Sequence, residues 1–264
     1  MIIALHGLEG AADRPYIRGQ ISYFSERGWD GLGVNWRGCS GRINRLPRSY
    51  HMGATEDLKA VVDHAIQLGY RQIGIVGFSL GGNVLLKYLG EQGDAAPPQV
   101  VGGVAFSVPC HIQSANIQID RRRNRLYRSR FLKSLNAKMI AKATLFPEAL
   151  RLPARMPTTF AGFDDRFTGP LHGFRDAIDY WTQCSSINYL TGIRRPTLLV
   201  NAADDTFLSD ECYPVAIARE QEFLHLEIPN YGGHVGFHGA DKNGHYWSEH
   251  RTFEWLNNLL EESS

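Results

Sequence analysis

A chain of 264 residues that is 43% hydrophobic and 21% charged can bury a large core, which excludes an intrinsically disordered protein. Its 28 Lys+Arg against 27 Asp+Glu leave a formal net charge of +1, so no surface dedicated to nucleic acid is expected. No apolar run reaches the roughly 18 residues of a membrane span. The opening MIIALHGLEG shows neither a basic leader nor a cleavage site, and Cys39, Cys110, Cys184 and Cys212 form no CxxC, so a cytoplasmic protein with reduced thiols is expected.

Short apolar runs alternate with longer amphipathic ones. Residues 2–5 read as a strand that stops at His6-Gly7. Residues 16–27 have helical spacing and end at Gly28, and 31–35 form a second strand candidate. A polar loop over 36–53 leads to Thr55, a candidate N-cap with Glu56 and Asp57 in the first turn of a helix that ends at Gly69. Residues 73–76 and 100–106 read as strands, with a helix over 82–89 between them. After an interruption come a strand at 197–200, a helix near 210–222, a strand at 223–228 and a helix from 247 to 260. This alternation predicts an α/β fold: a mainly parallel sheet with helices on both faces.

Residues 110–190 interrupt that pattern and read as helical or irregular. Residues 118–156 carry eleven Lys/Arg against only Asp120 and Glu148, a net +9 that leaves −8 for the remainder. A solvated helix face is the plain reading. The sharper one is a cap over an active site that attracts anionic ligands or an anionic membrane surface. Phe131, Leu135, Met139, Ala143 and Phe146 fall near one helical stripe suited to core packing, with Lys133, Lys138 and Lys142 elsewhere. The expected organisation is a core of residues 1–109 and 191–264, with 110–190 as a basic helical cap insert of the same domain.

The chemistry centres on Gly77-Phe78-Ser79-Leu80-Gly81. The strand RQIGIV runs into it and the helix GGNVLLKYL leaves it, the setting of a nucleophile elbow. A serine hydroxyl needs a base. His234, in the Gly-rich loop Tyr231-Gly232-Gly233-His234-Val235-Gly236-Phe237 after the last strand, is the candidate. The base needs a carboxylate to set its tautomer, and Asp204 or Asp205, after the strand TLLV, could supply it. The order Ser…Asp…His is that of α/β-hydrolases. Backbone N–H groups of Leu8, in the turn HGLEG, and of Leu80 are the expected oxyanion donors, with His6 structural. His238, Asp241 and His245 sit in a Gly-rich loop rather than on one helix face, so no metal site and no cofactor are expected.

With these elements in place the chain resembles a known family. HGLEG, Pro15-Tyr16, Asn35-x-Arg37-Gly38-Cys39-Ser40-Gly41, GFSLGGNVLLKYLGE, Phe163-Asp164-Asp165, Asp179-Tyr180, Pro196-Thr197-Leu198, ADD-x-F and GGHVGF look like the YheT-type α/β-hydrolases, bacterial relatives of plant EMB-type proteins and animal ABHD lipases. The resemblance runs from Met1 to about Gly239. It implies an α/β-hydrolase fold, a Ser79–Asp205–His234 triad with the second aspartate as its member, and small-molecule or lipid carboxylic esters as substrates. Where the family commonly carries Pro after that aspartate, this chain has Thr206, whose side chain need not touch the histidine.

A serine esterase or lipase working through an acyl-enzyme is therefore the leading expectation. The alternatives are an acyltransferase with the same triad and a non-catalytic lipid- or anionic-surface-binding protein built around RRRNR at 121–125. The family usually places further strands before HGLEG. A sheet of about six strands is expected here, with the strand at 31–35 at its edge and a true start upstream of Met1.

Overall fold

The apolar runs become strands because they are short and bounded by turn residues, and most carry β-branched side chains. The computed structural model describes residues 1–237, 239, 241–242 and 244–261. Among them, β1 (Ile2–Leu5), β2 (Gly31–Val34), β3 (Ile73–Phe78), β4 (Val100–Phe106), β5 (Thr197–Val200) and β6 (Leu224–Glu227) form one six-stranded sheet in the order β2-β1-β3-β4-β5-β6. Every neighbouring pair is parallel. As expected, β2 lies at an edge.

The period-2 alternation of a strand divides the core in two. Ile3 and Leu5 of β1 and Ile73 and Ile75 of β3 face α2 (Thr55–Gln67) and α3 (Leu80–Gln92), meeting Leu58, Val62 and Val84. Ile2, Ala4, Val76 and Phe78 face the other way, onto Phe24 of α1 (Pro15–Ser25) and Leu256 of the C-terminal helix. With both faces covered, β1 and β3 are buried at every position, which is why they read as continuous apolar runs.

Residues 110–190, between β4 and β5, add further helices. α4 (Ile112–Asp120) leads to the long α5 (Arg125–Leu145); the short α6 (Phe160–Phe163) continues through a wide π turn at Asp164–Thr168 into α7 (Gly169–His172), and α8 (Ala177–Cys184) follows. Leu135 and Met139 of the expected stripe pack with Phe160, Phe163 and Phe167 in a separate apolar cluster, with Phe131 and Ala143 partly buried against it; Leu132 joins the cluster and Phe146 does not. The charged residues of α5 differ from expectation. Lys142 is 2% exposed and donates to the carbonyls of Leu46 at 2.8 Å, Pro47 at 3.0 Å and Arg48 at 2.9 Å, so it pins the polar loop. Its long apolar stem lets a charged residue enter the packed face while its head finds acceptors.

Two local expectations are corrected. The N-cap of α2 is Ala54, and Thr55 is its first helical residue. The helix expected near 210–222 breaks into a 3-10 turn at Asp210–Cys212 and α9 (Val215–Glu220), because Pro214 forces Tyr213 out of the helical region. The last helix, α10, spans Trp247–Glu261.

Candidate active site

Ser79 sits between the last residue of β3 and the first of α3 with φ 52 and ψ −115, a conformation that L-residues rarely adopt. Its N–H donates to Phe106 O at 2.8 Å, and its carbonyl accepts from Asn83 N at 3.0 Å. The flanking glycines allow strand and helix to approach this closely. A Cβ on Gly77 would lie 2.5 Å from Gly81 O, and one on Gly81 would lie 2.6 Å from Leu5 O.

His234 follows β6 on a loop held from two sides. Asp204 Oδ1 accepts from Gly232 N at 2.9 Å and Gly233 N at 2.7 Å, and Ser107 Oγ accepts from Val235 N at 2.9 Å. Phe207 stacks on the imidazole with ring centroids 4.3 Å apart. Asp205 follows β5. Its side chain is fully buried; Oδ1 accepts from Phe207 N at 2.9 Å and Oδ2 lies 2.8 Å from His234 Nδ1. On the other side of the ring, His234 Nε2 is 2.9 Å from Ser79 Oγ.

The structure thus brings Ser79, Asp205 and His234 into one hydrogen-bonded chain from the ends of three strands. Asp204 points away from the ring and braces its loop. An ionised Asp205 can only accept, so Nδ1 carries the proton and Nε2 keeps a lone pair toward the serine hydroxyl. The N–H groups of Leu8 and Leu80 have no hydrogen-bond acceptor among the described residues, and both residues line the same cavity as Ser79 and His234. His6 is buried and structural: Nδ1 lies 2.7 Å from Gly7 O, Nε2 accepts from Trp36 N at 3.3 Å, and burial lowers its pKa to about 4. Thr206 turns from the histidine to the insert, its Oγ1 donating to Asn124 Oδ1 at 2.8 Å.

The cavity over Ser79 measures about 690 Å³. Phe131, Leu135 and Met139 of α5 and Phe160 and Phe163 of α6 line it, as do the exposed Arg14 and Arg130 and the half-buried Lys138. Buried Asp164 also lines it; burial raises its pKa to about 6, although Thr168 Oγ1 and Trp181 Nε1 donate to its carboxyl at 2.6 and 2.7 Å.

Sequence reasoning missed the bracing of the HGLEG turn. Glu9 has φ 53 and a nearly buried carboxylate that accepts from Tyr50 Oη at 2.6 Å, Lys138 Nζ at 2.7 Å and Ser134 Oγ. Tyr50 Oη in turn accepts from Glu9 N at 2.9 Å. Glu9 lies within a motif singled out above, but its partners come from residues 41 to 129 positions away, and no local pattern marks them. Asp241 and His245 lie beside His250; His238 lies outside the described residues.

The profile of the family described as alpha/beta hydrolase fold matches residues 1–259. The Escherichia coli (strain K12) protein named "Putative esterase YheT" is 33% identical over 268 residues, covering 100% of this chain and 78% of its own length. Mouse (Mus musculus) phospholipase ABHD3 is 32% identical, with 89% of this chain and 58% of its own length covered. Monoacylglycerol lipase of Saccharomyces cerevisiae is 27% identical, with 94% and 56% covered, so the chain spans little more than half of these two relatives. Among solved structures, the Pyrococcus furiosus esterase Pf2001 superposes with a TM-score of 0.59 at 18% identity, over 97% of this chain and 82% of that one. The Penicillium hydrolase GrgF superposes with a TM-score of 0.62 at 16% identity, over 98% and 90%.

Proposed function

Because the chain belongs to the α/β-hydrolase family, in its YheT-like, esterase- and lipase-type branch, we propose that it cleaves carboxylic esters through an acyl-enzyme on Ser79. The observation that carries this reading is the continuous contact Asp205 Oδ2–His234 Nδ1 at 2.8 Å and His234 Nε2–Ser79 Oγ at 2.9 Å, on a serine with positive φ facing a cavity.

In this reading His234 Nε2 takes the Ser79 proton as Oγ attacks the ester carbonyl carbon. The carbonyl oxygen becomes an oxyanion held by the N–H groups of Leu8 and Leu80. The imidazolium, steadied by Asp205, returns the proton to the departing alkoxide as the C–O bond breaks, releasing the alcohol. Water then attacks the acyl-enzyme with His234 as base, and the carboxylic acid leaves as Ser79 regains its proton. No step requires a cofactor.

Residues 110–190 act as the cap over this centre. Their phenylalanine-rich wall suits an acyl chain, so the substrates are small-molecule or lipid esters. The names of the relatives, an esterase, a phospholipase and a lipase, support the same class. A fluorophosphonate probe should label the wild type and not Ser79→Ala, and a p-nitrophenyl ester series should report acyl-length preference. An unlabelled wild type that turns over no ester of the series would overturn the reading.

A further inference from the structure

We propose that Asp241, His245 and His250 form a binding site for a divalent cation of the zinc type. One carboxylate oxygen and two imidazole nitrogens lie within 4.8 Å of one another. Asp241 Oδ2 is 3.2 Å from His245 Nδ1 and 3.0 Å from His250 Nε2. Ligands about 2.0–2.1 Å from a tetrahedral zinc ion stand roughly 3.3 Å from each other. The two carboxylate–imidazole separations are therefore close to the ligand spacing such an ion requires.

The hydrogen-bond partners of the histidines are compatible with an ion at this place. Both nitrogens of His245 face carboxylate oxygens, Nδ1 toward Asp241 Oδ2 and Nε2 toward Glu26 Oε2 at 3.3 Å. A neutral imidazole has one N–H, so one lone pair would point at an anion. The same Asp241 oxygen also faces His250 Nε2. A second proton on His245 would satisfy both of its contacts, and so would a cation among the three atoms. His245 then donates Nε2–H to Glu26 and ligates through Nδ1. His250 donates Nδ1–H to Tyr23 Oη, 2.7 Å away, and ligates through Nε2. Asp241 keeps Oδ1 on His245 N at 3.0 Å and offers Oδ2. Partners that orient ligating histidines in this way are characteristic of built metal sites.

The donor set, two imidazoles and one carboxylate, suits zinc better than magnesium or calcium. The side chains of Asp241, His245 and His250 are 30%, 17% and 40% exposed, which leaves access for the ion and for a water as fourth ligand. Tyr23 belongs to α1, Glu26 caps it, and His250 belongs to α10, while Asp241 and His245 lie on the chain that follows His234. The ion would tie that segment to two helices. It takes no part in ester cleavage, and the inference is independent of the proposed function.

The test is calorimetric titration of untagged, chelator-treated full-length chain with Zn²⁺, with Co²⁺ absorption as a second readout. Wild type and Ser79→Ala should each bind one equivalent with a positive shift in melting temperature. Asp241→Asn and His250→Ala should weaken binding at least ~100-fold, and Glu26→Gln or Tyr23→Phe about 10-fold. If a ligand variant fails to fold by circular dichroism, the Glu26 and Tyr23 variants decide the matter. Absence of stoichiometric binding by wild type, or affinity unchanged in the folded variants, would overturn the site.

Discussion

Lys138 of α5 and Glu9 of the HGLEG turn form an ion pair of 2.7 Å between the insert and the loop that carries Leu8. Glu9 is 6% exposed in this pair. Breaking one side leaves a nearly buried carboxylate with only Tyr50 and Ser134 as side-chain donors. Lys138→Met is therefore expected to lower stability by about 1–3 kcal/mol and to raise the barrier for ester turnover by loosening Leu8. The double variant with Glu9→Gln should lose less than the sum of the single changes. Urea unfolding of the four-member cycle measures this, and strict additivity would show that the pair does not couple.

Under the proposed mechanism, removal of the triad groups should separate the two aspartates. Ser79→Ala and His234→Ala should each reduce kcat by on the order of 10⁶. Asp205→Asn should cost about 10⁴, because the imidazole loses its tautomer and its counter-charge. Asp204→Asn keeps an oxygen for Gly232 N and Gly233 N and should cost less than about tenfold. Steady-state kinetics on one activated ester would expose a wrong assignment if Asp204→Asn were the more damaging.

Acid should destabilise the fold through buried histidines. Burial lowers the pKa of His6 to about 4 and, with His172 beside it, that of His51 to about 3, against 6.5 for an ordinary histidine. The unfolded chain then binds more protons at these sites, so their contribution is full above pH 6.5 and is lost as pH falls toward 4. Asp164, raised to about 6, works in the opposite direction between pH 6 and the ordinary carboxylate value of 3.8. Two histidines against one aspartate leave a net loss of about 1.4 kcal/mol per pH unit in that window. Asp164→Asn should steepen the loss to about twice that. Urea midpoints at pH 7.5, 6 and 5 test both statements, and a flat stability profile would refute them.

The insert also offers a surface. Arg121, Arg122, Arg125 and Lys133 are exposed beside Ile117 and Leu126, the latter 78% exposed. Binding to anionic phosphatidylserine vesicles is expected, weakening with salt as the screening length falls to about 8 Å at physiological strength. Reversing Arg121, Arg122 and Arg125 to Glu should abolish it while turnover of a soluble short ester is unchanged. Equal sedimentation with neutral vesicles would contradict an electrostatic attachment.

How much of this was legible follows from the range of the interactions. The sheet and the elbow rest on local signals: apolar runs, Gly77 and Gly81, and a serine between strand and helix. Asp205 and His234 were legible because each lies in the loop that follows a strand, and parallel strands deliver their C-terminal loops to one edge. The pair Asp204/Asp205 could not be divided by spacing alone; the structure separates them by direction, one to backbone N–H groups and the other to the ring. Lys142 was misplaced because helical periodicity assigns a side, while a lysine stem can cross from one side to three distant carbonyls. Pro214 did carry a local signal for the break before α9, and the apolar pattern around it masked that signal.

The crowding at Gly77 and Gly81 has a bearing on how such a protein diversifies. Backbone atoms surround the elbow, so its sequence is closed to variation: any side chain there meets a carbonyl that cannot rotate away. The wall opposite is made of side-chain tips from Phe131, Met139 and Phe160, which can be exchanged without moving a strand. Under the proposed function, reactivity and selectivity would reside on separately heritable stretches of chain. A mutational library confined to the insert should change which esters are accepted while the reactive centre is passed on intact.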